Sequence, residues 1–214
     1  MKNFILLITG LIMMTQSVFA QVAFSGDVQF FSKNTSLATG LVYDEDPAVA
    51  LHLNATYKIS ERFGVSGFYT GHSCRKEMGI MNQYHLVDAL AHYNITDDLV
   101  LYAGPEFVYK RKDNNNVTDA GLIGMMTWSK QKFSASLIVY TNPQFQFFYY
   151  IGSVTINLRK DLSAYVLGAY TTAEPTPVYG LSGLKYSSGR FFSGVYYVFR
   201  SDATGPMFNI GFTF

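Results

Sequence analysis

The chain has 214 residues, enough for one domain and hardly for two. Its 16 Lys+Arg against 15 Asp+Glu give no basic footprint for nucleic acid, and a lone cysteine, Cys74, excludes an intramolecular disulfide, a zinc cluster and an iron–sulfur site. Yet hydrophobic residues make up 49% and aromatics 16%, a mixture too greasy for an exported soluble domain.

The first twenty residues are set apart from the fold. Lys2 supplies a short positive start, Phe4 to Met14 is apolar except for Thr9 and Gly10, and Val18-Phe19-Ala20 follows a polar stretch. This is the layout of a secretory signal peptide, with Gln21 as the expected mature N-terminus. The apolar run is too short to span a bilayer, so cleavage rather than anchoring is expected. Cleavage removes Lys2 and no acid, which brings the basic count to 16 − 1 = 15 against 15 acids. After Gln21 no uninterrupted apolar run approaches the roughly 18 residues of a transmembrane helix. Strands that turn one apolar face to lipid reconcile the greasy composition with the missing helix.

From Gln21 onward short alternating segments are separated by turn clusters. Ile59-Ser60-Glu61-Arg62-Phe63, Ile95-Thr96-Asp97-Asp98-Leu99 and Leu158-Arg159-Lys160-Asp161-Leu162 each set three polar residues between two large apolar ones, as suits a tight hairpin at a membrane surface. The connections Asn34 to Asp46, Cys74 to Met81, Lys112 to Val117, Thr172 to Pro177 and Ser201 to Gly205 read as longer and more polar. Short turns alternating with long loops are the asymmetry of transmembrane barrels. Strands are expected near 22–33, 47–59, 63–73, 82–95, 99–111, 118–128, 133–142, 145–158, 162–171, 178–187, 190–200 and 206–214. That makes twelve, or ten if the boundary at Asn142-Pro143 dissolves.

Parity assigns the faces. In the second strand Val49, Leu51, Leu53, Ala55, Tyr57 and Ile59 share one face, and His52, Asn54, Thr56 and Lys58 the other. In the eighth, Phe148, Tyr150, Gly152, Val154, Ile156 and Leu158 oppose Ser153, Thr155 and Asn157. The expectation is an all-β, transmembrane, antiparallel up-and-down barrel over residues 21–214, polar inside and apolar outside. The chain ends Phe208-x-Ile210-x-Phe212-x-Phe214. In this ending the sequence resembles bacterial outer-membrane β-barrel proteins, whose last strand alternates in the same way and closes on an aromatic. The resemblance implies that the barrel-assembly machinery reads Phe208, Ile210, Phe212 and Phe214. A second likeness, through Asp46-Pro47-Ala48-Val49 and Gly67-Phe68-Tyr69-Thr70-Gly71, is to small porin-like proteins of Gram-negative bacteria.

Chemistry is sparse. No phosphate-binding glycine loop, paired-cysteine motif or serine elbow is present, and neither a cofactor nor a metal is expected. His52, His72 and His92 fall on the polar face of their strands, while His85 shares a face with Val87, Ala89 and Ala91. Isolated histidines at such spacings read as hydrated lumen or rim residues rather than metal ligands. If Ile95 faces Leu99, then Asp88 and Glu106 lie opposite each other and both point inward, with Lys110 and Lys58 as possible partners. Such a pair is either a charged constriction that filters solutes or a charge network bracing the wall. Ser73 and His85 share the lipid-facing parity on neighbouring strands and are the candidates for a Ser–His nucleophile pair, which lacks an obvious third member beyond Gln83 or Glu77.

The function expected is a narrow passive channel in the outer membrane for small hydrophilic solutes, lined by Asp88, Glu106, His52, His92, Lys58 and Lys110 and surrounded by outer-membrane lipids. Two alternatives stand beside it: a lipid hydrolase using Ser73 and His85, and a closed barrel with a structural or adhesive role.

Overall fold

The computed structural model describes residues 22–31, 48–75, 81–112, 115–142, 144, 146–172, 179–200 and 204–214. The expected signal peptide, the loop Asn34 to Asp46, Glu77, and most of the expected connections around 173–177 and 201–205 lie outside these residues. Twelve strands follow in order: β1 (Val22–Phe31), β2 (Ala48–Lys58), β3 (Phe63–Arg75), β4 (Met81–Asn94), β5 (Leu99–Lys112), β6 (Asn115–Lys130), β7 (Phe133–Thr141), β8 (Phe148–Asn157), β9 (Leu162–Thr171), β10 (Tyr179–Ser188), β11 (Phe191–Arg200) and β12 (Thr204–Thr213). Each pairs antiparallel with its sequence neighbours, and β12 pairs with β1, so the sheet closes and has no free edge. Closure continues past the strand end, where Phe24 and Phe214 exchange backbone hydrogen bonds of 3.0 and 2.7 Å.

The three punctuated segments form equivalent turns. The N–H groups of Ile59, Ile95 and Leu158 donate to the carbonyls of Phe63, Leu99 and Leu162 at 2.9–3.0 Å. Polar side chains complete them: Ser60 Oγ accepts from the Phe63 N–H at 3.0 Å, and Thr96 Oγ1 from the Leu99 N–H at 3.1 Å. A fourth connection at the same end turns on Gly189, whose φ of 59° suits a glycine. At the other end the boundary at Asn142 is real. Asn142 Oδ1 accepts from the Gln146 N–H at 2.8 Å, and its amide donates to the side chains of Gln144 and Gln146. The twelve-strand count holds.

One connection differs from the reading of the sequence. The β5–β6 ladder runs on to Lys112↔Asn115, so Lys112 to Val117 is not a long loop. Strand ends that project beyond the apolar belt carry loop-like polar residues, and composition alone cannot separate the two.

Parity is obeyed on the outer face: Val49 and Leu51 of β2 are exposed, while Ala48 and Ala50 between and before them are buried. The interior, however, is not uniformly polar. Towards the longer connections, Phe31, Ala48, Ala50, Ile151, Ala169, Tyr179, Leu181, Tyr196, Val198 and Met207 form one buried cluster, joined by Ile138, Tyr140, Tyr149, Tyr165 and Leu167. Val198 is 0% exposed, so even water is excluded there. Alternation reveals that a strand has two different faces; it cannot reveal that one end of the interior is packed with apolar side chains. On β1, β2 and β12 the polar residues Asp27, His52 and Asn209 follow that cluster along the same strands, and on β4 and β5 Asp88, His92 and Glu106 face inward.

Candidate functional site

Two polar constellations occupy the interior. The first spans the closing seam. On β1, β2 and β12 the register sets Asp27 opposite His52 and Gln29 opposite Asn209. Asp27 Oδ2 accepts from Gln29 Nε2 at 3.1 Å and from Asn209 Nδ2 at 3.0 Å. His52 Nδ1 lies 3.2 Å from Asp27 Oδ1 and 2.9 Å from Gln29 Nε2, so its tautomer decides whether it donates to the carboxylate or accepts from the amide. A carboxylate away from water needs such donors, and three neighbouring strands provide them. Sequence reasoning picked out His52 but missed Asp27, Gln29 and Asn209. The available signal was a single acid at the centre of strand Val22–Phe31, with Ser25 and Gln29 two residues either side on the same face.

The second constellation centres on β4 and β5. The turn geometry at Ile95 and Leu99 sets the register that brings Asp88 opposite Glu106. A single row runs Asn54, Phe68, Asp88, Glu106, Gly121 across β2 to β6. The ladder skips the next two rungs, where Pro105 has no N–H to give. Gly121 makes room for the acid: a Cβ there would meet Glu106 Oε1 at 3.5 Å and the Thr141 carbonyl oxygen at 3.0 Å. Asp88 is 4% exposed, and its Oδ1 and Glu106 Oε2 are both buried without a hydrogen-bond partner. Neither carboxylate forms an ion pair among the described residues. Lys110 instead extends its ammonium over the Tyr84 ring, 5.6 Å from the centroid. Lys58 is exposed near the short turns, four residues along β2 from Asn54, which is roughly 13 Å of strand away from the Asp88 row.

His92 lies deeper towards the short turns, facing Tyr102 at 5.3 Å between ring centres. Its Nδ1 is 3.1 Å from Ser66 Oγ, which in turn lies 3.1 Å from Thr56 Oγ1. A hydroxyl chain of this kind satisfies the buried imidazole without any charge. His72, paired with Tyr84 across the β3–β4 ladder, is 3% exposed, and its Nε2 is unpartnered.

On the outer face Ser73 and His85 occupy adjacent strands, with Ser73 opposite Gln83 and His85 opposite Gly71. His85 Nδ1 lies 2.9 Å from the Tyr69 hydroxyl, and the ring is flanked by Tyr69 and Tyr109 at 6.1 and 5.9 Å. Ser73 Oγ is buried with no partner. In this arrangement the imidazole serves an aromatic belt rather than the serine.

No sequence family matches the chain, and no curated protein resembles it in sequence. Solved structures do resemble it in shape. A KdgM porin superimposes with a TM-score of 0.61 at 12% identity, over 90% of this chain and 99% of that one. The fold is that of the outer-membrane barrels. A KdgM porin in complex with disordered oligogalacturonate gives 0.57 at 13% identity, over 90% and 98% of the two chains. Outer membrane phospholipase A from Escherichia coli also gives 0.57, at 10% identity over 90% and 92%. Channels and an enzyme thus share this barrel, and function must be argued from the residues it carries.

Proposed function

We propose that the chain is exported, that residues 1–20 are removed as a signal peptide, and that residues 21–214 form a narrow passive channel for small hydrophilic solutes in the outer membrane of a Gram-negative bacterium. The observation that carries this reading is the distribution of polarity in a closed barrel. Asp27, His52, Asp88, His92, Glu106 and Lys110 face inward, while the outer face is aliphatic and aromatic. Lys58, at the short-turn mouth, belongs to the same lining. Lipid covers the exterior, and the assembly machinery recognises the last strand through Phe208, Ile210, Phe212 and Phe214.

The buried apolar cluster towards the longer connections supports a narrow passage over a wide one. One similar porin binds oligogalacturonate, a polyanion. Here Asp27, Asp88, Glu106 and Asp119 share the inward face with Lys58, Lys110 and Lys185, so the lining has no net positive field for such a cargo, and small neutral or cationic solutes fit the unpartnered Asp88–Glu106 pair better. The lipid-hydrolase alternative has less support, because His85 Nδ1 pairs with Tyr69 and Ser73 Oγ has no partner.

The test is single-channel recording of the purified protein in planar bilayers. Small, cation-preferring conductance steps are expected. A protein that inserts but never conducts would retire the channel, and release of fatty acid from phospholipid would then test Ser73 and His85 directly.

A further inference from the structure

The Asp88–Glu106 pair adjoins the apolar cluster. Tyr84 shares the inward face of β4 with Asp88, and Tyr140 pairs with Ile123, two residues along β6 from the Gly121 that faces Glu106. Tyr140 and Tyr149, whose rings lie 6.3 Å apart, pack against the cluster. Two buried acceptor oxygens without donors, Asp88 Oδ1 and Glu106 Oε2, thus lie on the side of the interior that Tyr84 and Tyr140 share. A third buried atom without a partner, His72 Nε2, is on the residue paired with Tyr84.

We propose that Asp88 and Glu106, with Tyr84, Tyr140 and Tyr149, form a subsite for the ammonium head of a small organic amine whose apolar body lies against the apolar cluster that Tyr140 and Tyr149 border. The inference rests on the channel reading for the route by which the amine arrives, and it specifies the class of solute.

The chemistry narrows the choice. An ammonium group brings three donors and a positive charge to two oxygens that lack both. Tyrosine faces attract a cation through the ring quadrupole, and the Lys110 ammonium over Tyr84 is an internal example. A divalent metal is a poorer occupant. Hard cations take about six or more oxygen ligands, and no group of three His, Cys, Asp or Glu side chains among the described residues converges on one point. A small inorganic monovalent cation would gain from the carboxylates but has no apolar body to lay against the cluster. An anion is repelled outright.

Titration calorimetry of the detergent-folded barrel tests the subsite without requiring conduction. The probes are phenethylammonium, the similarly shaped anion phenylacetate, and ammonium chloride. Saturable binding of phenethylammonium is expected, with ammonium weaker by about tenfold because it buries no apolar surface, and with no phenylacetate binding. Asp88→Asn with Glu106→Gln should weaken phenethylammonium by about tenfold or more, since the charge partner is lost from a desolvated site. Tyr140→Leu leaves both acids in place and should weaken it by about threefold through the lost cation–π contact. Equal affinity for phenylacetate, or unchanged affinity in the folded double variant, would overturn the proposal. Bilayer recordings of the same preparation separate the two readings. Amine binding without conductance keeps the subsite and removes the channel, whereas conductance without amine binding removes the subsite and keeps the channel.

Discussion

Asp27 and Asp88 are both inward acids near the middle of a strand, yet their surroundings differ. Three side chains on three strands provide for Asp27, whereas Asp88 has no hydrogen-bond partner for Oδ1. The first reads as structural, while the second fits the filtering role proposed above, because burial without donors costs free energy that packing alone does not return. Two variants check the distinction. Asp27→Ala strands the amides of Gln29 and Asn209 inside the seam, and is expected to cost about 1–3 kcal/mol, seen as a lower midpoint for heat-induced loss of the compact band on gels. Asp88→Asn with Glu106→Gln should instead reduce cation preference, and more strongly at low salt where screening is weaker. If that double variant loses thermal stability and keeps its ion preference, the pair braces the wall and does not filter solutes. The Asp88–Glu106 register was legible in the sequence because one turn fixes it. The donors around Asp27 were not, because residues 27, 29, 52 and 209 meet only when the first and last strands close.

Among the elements, the strands were the most legible. Three polar residues between large apolar ones marked three turns correctly, since the side-chain hydrogen bonds of Ser60 and Thr96 act within the turn itself. Where a strand projects past the apolar belt, as β6 does from Asn115, polarity misleads and the ladder decides. The last strand illustrates both kinds of information. Its alternation was readable, and the structure adds that Phe208, Ile210 and Phe212 pair with Phe30, Val28 and Gly26 of β1, so the C-terminal strand is also the closing strand. Ring contacts tie this seam from the outside, Phe30 to Phe208 at 6.4 Å and Phe24 to Phe212 at 5.8 Å. Replacing Phe212 and Phe214 by Ser should therefore lower both the yield of folded barrel and the midpoint of its unfolding. Undiminished amounts of heat-modifiable protein in the outer membrane would show that this strand is not what the assembly machinery reads.

For the molecule as a whole, the interior is divided between an apolar cluster towards the longer connections and the polar residues beyond it on β12, β1, β2, β4 and β5. Such a division was illegible because both parts obey the same period of two, and only closure shows which inward faces confront each other. Its consequence is a trade between stability and bore. Leu181 and Met207 are both buried in the apolar cluster. Shortening either to Ala removes packed methylenes and leaves a void, at a cost of about 2–5 kcal/mol each. On the channel proposed above, the same void widens the cross-section open to a solute. Leu181→Ala with Met207→Ala should therefore lower the thermal midpoint and raise single-channel conductance in the same protein, a pairing that damage to the fold alone would not produce. Its selectivity should also weaken, since ions passing through a wider bore lie farther from Asp88 and Glu106 and are better screened by water. A lower midpoint with unchanged conductance would place the solute path entirely along the polar residues and leave the apolar cluster as packing alone.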